Sequence, residues 1–134
     1  MRNSGEIDLI ELGGGDDVYL GRGKGSAQSV EGGGGRDVLV SSRADDTFAG
    51  ELAADIFVFA RRGGDDRVED FSGQDRIDLS DFGFSGFSEL RPLIEDRPAG
   101  ALIDLSDEGL TILLENVAKA DLRANDFFFD PPVM

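Results

Sequence analysis

Aspartate recurs along the first 80 residues of this chain at a spacing that suits metal ligation better than catalysis. Asp8, Asp17, Asp37, Asp46, Asp55, Asp66 and Asp75 each stand two residues before an apolar or aromatic side chain: Ile10, Tyr19, Leu39, Phe48, Phe57, Val68 and Ile77. Asp37 closes a run of four glycines, Gly32-Gly33-Gly34-Gly35-Arg36-Asp37. Glycine accepts positive φ and lets backbones approach closely, so such a run makes a tight turn that can aim several carbonyls at one point. Carbonyl and carboxylate oxygens together form a hard ligand set, which favours Ca²⁺. Zinc would want cysteine or histidine, and the chain has neither. HExxH, GxSxG and Walker patterns are also absent. Paired carboxylates can hydrolyse glycosides, but here the aspartates follow a repeat period, and calcium accounts for them better. No active site is expected.

The period is nine residues. The aspartates take the sixth place of a unit Gly-Gly-x-Gly-x-Asp-x-apolar-x, which residues 32–40 match strictly. The frame continues without a gap through 41–49 and 50–58. It runs back through 23–31, where Gln28 replaces the aspartate and Val30 holds the apolar place. Two-residue insertions, Gly21-Arg22 and Phe59-Ala60, separate this block from units 3–11 and 12–20 and from units 61–69 and 70–78. Of these eight units seven carry aspartate at the sixth place and all carry an apolar residue at the eighth. A disordered Gly/Asp-rich tail would not keep that apolar place.

Each unit pairs a tight turn with a very short strand bearing one inward side chain. Two units close a coil of roughly 18 residues, and stacked coils form two parallel sheets with strands about 4.8 Å apart. One coil buries almost nothing, so the stack is marginal alone. Turns on one side recur every second unit. Asp17, Asp37, Asp55 and Asp75 therefore line one edge, and Asp46 and Asp66, with Gln28 and Asp8, line the other. Like charges at this spacing repel, and a divalent cation between successive turns relieves the repulsion. The expected fold is all-β: a parallel β-roll, a two-sheet solenoid of nonapeptide repeats, over 1–80, with a β-rich capping region over 81–134, the two forming a single structural unit.

These repeats resemble the RTX (repeats-in-toxin, hemolysin-type calcium-binding repeat) family. Asp55-Ile-Phe-Val-Phe59, Asp65-Asp-Arg-Val-Glu-Asp-Phe71, Asp75-Arg-Ile-Asp-Leu-Ser80, Gly109-Leu-Thr-Ile-Leu-Leu-Glu-Asn-Val117 and Ala120-Asp-Leu-Arg-Ala-Asn-Asp-Phe127 are similar to the C-terminal domain of serralysin-type secreted proteases. The same block closes the repeat modules of alginate epimerases. The resemblance implies that each Ca²⁺ lies between the turns of units n and n+2, held by carbonyls and the sixth-place aspartates. Carried over, one site uses Leu12, Gly14 and Asp17 with Gly33, Gly35 and Asp37. The next uses Gly32, Gly34 and Asp37 with Glu51, Ala53 and Asp55. A third uses Gly50, Leu52 and Asp55 with Phe71, Gly73 and Asp75. On the other edge Ser41, Arg43 and Asp46 face Arg62, Gly64 and Asp66. Gln28 deprives the site between 23–31 and 41–49 of a carboxylate, and the turn at 41–44 lacks every glycine.

The resemblance further implies a secreted, extracellular protein exported by type I secretion machinery. The chain would be the C-terminal module of a larger exoprotein, folding on Ca²⁺ after export, with a functional domain upstream of Met1. Asp126-Phe-Phe-Phe129 is similar to the acidic-then-apolar ending of such export signals, with 130–134 extending beyond it. A second reading is a carbohydrate-binding module of the alginate-epimerase kind, with Arg36, Arg43, Arg61, Arg62 and Arg67 as a basic strip for an acidic polysaccharide. The same arginines also suit the screening of neighbouring aspartates.

The formal charge of −15 repels nucleic acid and acidic membranes. No apolar run approaches a membrane span, and without cysteine no redox compartment can be read. Nine of the ten phenylalanines fall within 57–129, which places an ordinary hydrophobic core in that half. There, 88–95 predicts a short helix, 101–105 and 111–114 strands joined by a turn at 107–109, 118–125 a helical turn, and 126–129 a strand. This half would cover the open end of the roll.

Overall fold

The computed structural model describes residues 8–21, 28–42, 45–51, 54–72 and 74–129. Its repeat strands are β1 (Asp8–Glu11), β2 (Val18–Leu20), β3 (Gln28–Glu31), β4 (Val38–Val40), β5 (Thr47–Ala49), β6 (Ile56–Val58), β7 (Gly64–Val68) and β8 (Arg76–Asp78). They alternate between two sheets and pair in parallel, odd with odd and even with even. The strand period is two, so in the three-residue strands only the middle residue faces the other sheet, while β3 turns Val30 inward and β7 Val68. In register, Val30, Phe48 and Val68 form one inner column, and Tyr19, Leu39, Phe57 and Ile77 form the facing one. The chain is a parallel β-roll.

The second insertion adds to the core. Phe59 is buried, and its ring lies 5.9 Å from Phe48, which also faces Phe57 at 6.2 Å. Its N–H reaches the Asp78 carbonyl at 3.2 Å, so the β6–β8 ladder runs on past the strand.

Beyond β8 the chain extends both sheets. A one-turn helix α1 (Phe87–Leu90) runs into a 3-10 turn (Arg91–Leu93), and then come β9 (Ile94–Arg97), β10 (Gly100–Leu105), β11 (Leu110–Glu115) and β12 (Phe127–Phe128). β11 pairs in parallel with β7 and antiparallel with β10, which pairs with β9. β12 pairs in parallel with β8. The sheets therefore hold seven and five strands among the described residues. The predicted helix over 88–95 is shorter than expected. Pro92 cannot donate into a continuing helix, and Ile94 and Glu95 pair instead with Ile103 and Leu102. The single helical turn predicted over 118–125 resolves into two 3-10 turns, Lys119–Asp121 and Ala124–Asp126. Phe82, Phe84, Phe87, Phe127 and Phe129 form a chain of ring contacts with centroids 5.6 to 6.3 Å apart. No helix among the described residues is long and apolar enough to cross a membrane.

Candidate metal centre

The turns stack as the period requires. On one edge 12–17, 32–37, 50–55 and 70–75 lie in succession. The Asp37 amide donates to the Asp55 carboxylate at 2.9 Å, as Asp17 does to Asp37 and Asp55 to Asp75. On the other edge the Asp46 amide donates to Asp66 at 2.7 Å. Each aspartate thus caps its counterpart one coil earlier through Oδ1. The backbone closes the same step in reverse: the Asp17, Asp37 and Asp55 carbonyls accept from Val38, Ile56 and Arg76, all at 2.9 Å.

The other carboxylate oxygen is the telling one. Oδ2 of Asp17, Asp37, Asp55 and Asp66 is buried with no hydrogen-bond partner. Asp37, Asp55 and Asp66 are each no more than 2 % exposed. An unmet buried acceptor costs about 1–3 kcal/mol, more when charged. Burial is also the largest cause of their shifted titration. It raises Asp66 to about 9, opposed by the Asp46 N–H and reinforced by the charges of Asp46, Asp45 and Asp65. It raises Asp55 to about 7, opposed by the Asp37 N–H and reinforced by Asp75, Asp37 and Asp70. Asp37 and Asp75 are raised for the same first reason.

Glycine makes room for these oxygens. A Cβ on Gly32 would run into Asp37 Oδ2, and one on Gly50 into Asp55 Oδ2. Gly33 and Gly35, at φ of +81° and +87°, lie directly against the carbonyl oxygens of Gly13 and Gly15 in the turn before. Where glycine has been lost at the second place, Glu51 and Arg62 hold the left-handed backbone themselves, at φ of 68° and 65°.

The residues fit a hard cation. Among the described residues no three acidic side chains converge on one point, so a cation between turns would draw on aspartate pairs and backbone carbonyls. That donor mix suits Ca²⁺. The turns bring together Leu12, Gly14, Asp17, Gly32, Gly33, Gly34, Gly35, Asp37, Gly50, Glu51, Asp55, Phe71 and Asp75 on one edge, and Ser41, Asp46, Arg62, Gly64 and Asp66 on the other. Arg43, Leu52, Ala53 and Gly73 lie outside the described residues, as do the side chains of Asp8 and Gln28. One turn differs from expectation. Gly64, Asp65 and Asp66 are already strand, because β11 pairs with them. Arg62 and Gly64 donate to the Glu108 and Gly109 carbonyls at 2.7 and 3.0 Å.

Sequence reasoning missed a second set of carboxylates. Asp16 accepts the Arg36 amide and Asp45 the Asp65 amide, each at 2.8 Å, so these fifth-place aspartates cap the coil that follows. Asp70 accepts the Gly50 and Glu51 amides at 3.0 and 2.8 Å. Asp65 accepts the Thr111 hydroxyl at 2.8 Å, which carries this ladder into β11. The doublets Asp16-Asp17, Asp45-Asp46 and Asp65-Asp66 were the available signal. Of the five arginines of the proposed basic strip, Arg61 pairs with Glu108 at 3.3 Å and Arg67 with Glu115 at 3.1 Å, and Arg43 lies outside the described residues.

No protein-family model matches the chain, and no curated protein does. Among solved structures it is similar to the solution structure of the AlgE6R3 subunit of mannuronan C5-epimerase from Azotobacter vinelandii. The two are 27 % identical, with a TM-score of 0.65, over 95 % of this chain and 81 % of that one. That structure is a subunit of an enzyme, and this chain is by fold and size a repeat module of the same build.

Proposed function

We propose that this chain is a non-catalytic, calcium-binding repeat module of RTX type, serving as the C-terminal export and capping part of a larger secreted protein. The observation that carries this is the row of buried Oδ2 atoms without partners on Asp17, Asp37 and Asp55, stacked on glycine turns. Without a counter-charge these carboxylates oppose the fold. A bound Ca²⁺ supplies that charge. The ligands proposed are the aspartates of successive turns with the carbonyls of the glycine positions between them. In a low-calcium cytosol the chain stays unfolded and passes through a type I exporter. Outside, Ca²⁺ at a hundred times its dissociation constant adds about 2.7 kcal/mol per site, enough to decide a marginal fold. The test is far-UV circular dichroism with calorimetric titration of CaCl₂ into chelator-treated protein. β structure that rises with calcium is expected. An identical spectrum with and without calcium, and no heat of binding, refutes the reading.

A second reading, a polysaccharide-binding module, rests on one groove. It measures about 250 Å³ on the side of the β4–β6–β8 sheet, where Arg36, Val38, Ile56, Gln74 and Arg76 line it together with Asp37 and Asp55. The similar solved structure comes from an enzyme of the polymer mannuronan. Titration of the calcium-loaded protein with mannuronate oligomers tests it. Binding lost in Arg36→Ala supports this reading, and no binding by the wild type removes it.

A further inference from the structure

Two of the stacked aspartates differ from the rest. Asp46 and Asp75 are as buried as the others, yet each has its free oxygen taken by a serine of its own turn. The Ser42 hydroxyl lies 2.9 and 2.8 Å from the two Asp46 oxygens, and the Ser42 amide donates to Oδ2 at 2.7 Å. The Ser72 amide and hydroxyl reach Asp75 Oδ2 at 3.0 and 3.3 Å. The four aspartates with an unmet Oδ2 have no such serine. In the turns of Asp17 and Asp37 the second and third places are glycines, Gly13-Gly14 and Gly33-Gly34. In their place stand Ser42 and Ser72, and the amide and hydroxyl of each meet the oxygen that a cation would otherwise meet.

We infer that Ser42 and Ser72 set the limits of cation occupancy: the chain takes cations tightly between the turns ending at Asp17, Asp37 and Asp55, while the turns ending at Asp46 and Asp75 are closed by their own hydroxyls. The inference rests on the calcium reading and refines it. A tight site needs an open oxygen from both turns. The pairs Asp17 with Asp37 and Asp37 with Asp55 have two; Asp55 with Asp75 and Asp46 with Asp66 have one. A cation entering the latter pairs must first displace a hydrogen bond to a charged group, a competition that weakens binding about tenfold or more. Open carboxylates thus meet in the turns ending at Asp17, Asp37 and Asp55, and serine closes the last turn of that edge and the Asp46 turn of the other.

Calcium calorimetry on the whole chain tests this. Ser42→Gly should add one tight site to the wild-type count, Ser72→Gly should strengthen a weak site about tenfold, and Ser42→Thr, which keeps a hydroxyl, should leave the count unchanged. Ser42→Ala, which removes only the hydroxyl, should strengthen the Asp46–Asp66 site about tenfold, which gives a reading even where Ser42→Gly does not fold. If neither Ser42→Gly nor Ser42→Ala gains calcium binding over the wild type, the serine inference is overturned while the calcium reading stands. If the wild type binds no calcium, both fall.

Discussion

Asp37→Asn should change the sign of its effect with calcium. Asp37 is shared by the turns on either side: its Oδ1 holds the Asp17 amide, its own amide is held by Asp55, and its Oδ2 lies unmet beside Gly32. Asparagine keeps an acceptor for the Asp17 amide and removes only the charge. In calcium two sites lose a ligand. At a hundredfold excess over the dissociation constant each contributes about 2.7 kcal/mol, so the variant should lose on the order of 5 kcal/mol. In chelator the balance reverses. Burial first, and then the charges of Asp17 and Asp16, hold the pKa of the wild-type carboxylate up, and a like-charge neighbour one strand spacing away costs about 1 kcal/mol or more. The variant should then be the more stable by on the order of 1 kcal/mol. Urea unfolding followed by circular dichroism measures both, with sodium sulfate in the chelated samples to favour the compact state. A loss of similar size in both conditions would show that Asp37 works through hydrogen bonding alone, and the argument from unmet charge would fail.

Gly50→Ala should abolish one calcium site and cost about 2 kcal/mol or more, since the new methyl meets Asp55 Oδ2; calorimetry and urea midpoints check both. Arg62→Gly should stabilise by about 0.5–1 kcal/mol, because a left-handed residue at φ 65° is relieved; an unchanged urea midpoint would oppose this. In chelator, stability should fall as pH rises from about 4 to 9. The folded chain holds protons on Asp55 up to about 7 and on Asp66 up to about 9, while the unfolded chain has released them near 3.9. Urea midpoints at pH 5, 7 and 9 measure that slope, and saturating calcium should remove it. As calcium is titrated into chelated protein, hydrogen exchange should show amides of β10 and β11 gaining protection before those of β2 and β4.

Much of the roll was legible because its period is written in two residue types at once. Aspartate at the sixth place and an apolar side chain at the eighth fix turn, strand and facing. The strands β2, β4, β5, β6 and β8 fall on the last three places of their units. The site edges were legible for the same reason. Three features were not. β9 reads Ile-Glu-Asp-Arg, three of its four residues exposed, so its strand character comes from pairing with β10 rather than from pattern. The strand character of Gly64, Asp65 and Asp66 likewise depends on β11, a partner 46 residues away. The serine locks were hidden because a lost glycine reads only as erosion until the hydroxyl's position is known.

The distribution of apolar and acidic residues along the roll explains why one end needs metal more than the other. β2 is the edge strand of its sheet, with Val18 and Leu20 at 63 % and 60 % exposed and only Tyr19 turned inward. Beyond their charged residues the glycine turns before β2 and β4 contribute only Leu12, which packs against the core part-buried. Here burial cannot offset the repulsion of Asp17 and Asp37, and these turns have no serine to close them. Past β5 the core thickens: Phe48, Phe57, Phe59, Ile77, Leu79, Leu90, Ile103, Ile112 and Leu114 are all fully buried. The aspartates there gain hydroxyls from Ser42 and Ser72, and Asp65 gains one from Thr111. Each repeat in a solenoid leans on its neighbour, so a cap and last coils held by ordinary packing offer a template to which the earlier coils add. On the calcium reading, the glycine-rich coils should assemble on this template last, as their open carboxylates acquire a counter-charge. The same gradient makes the glycine-rich coils, which look most ordered in sequence, the least stable part of the metal-free chain.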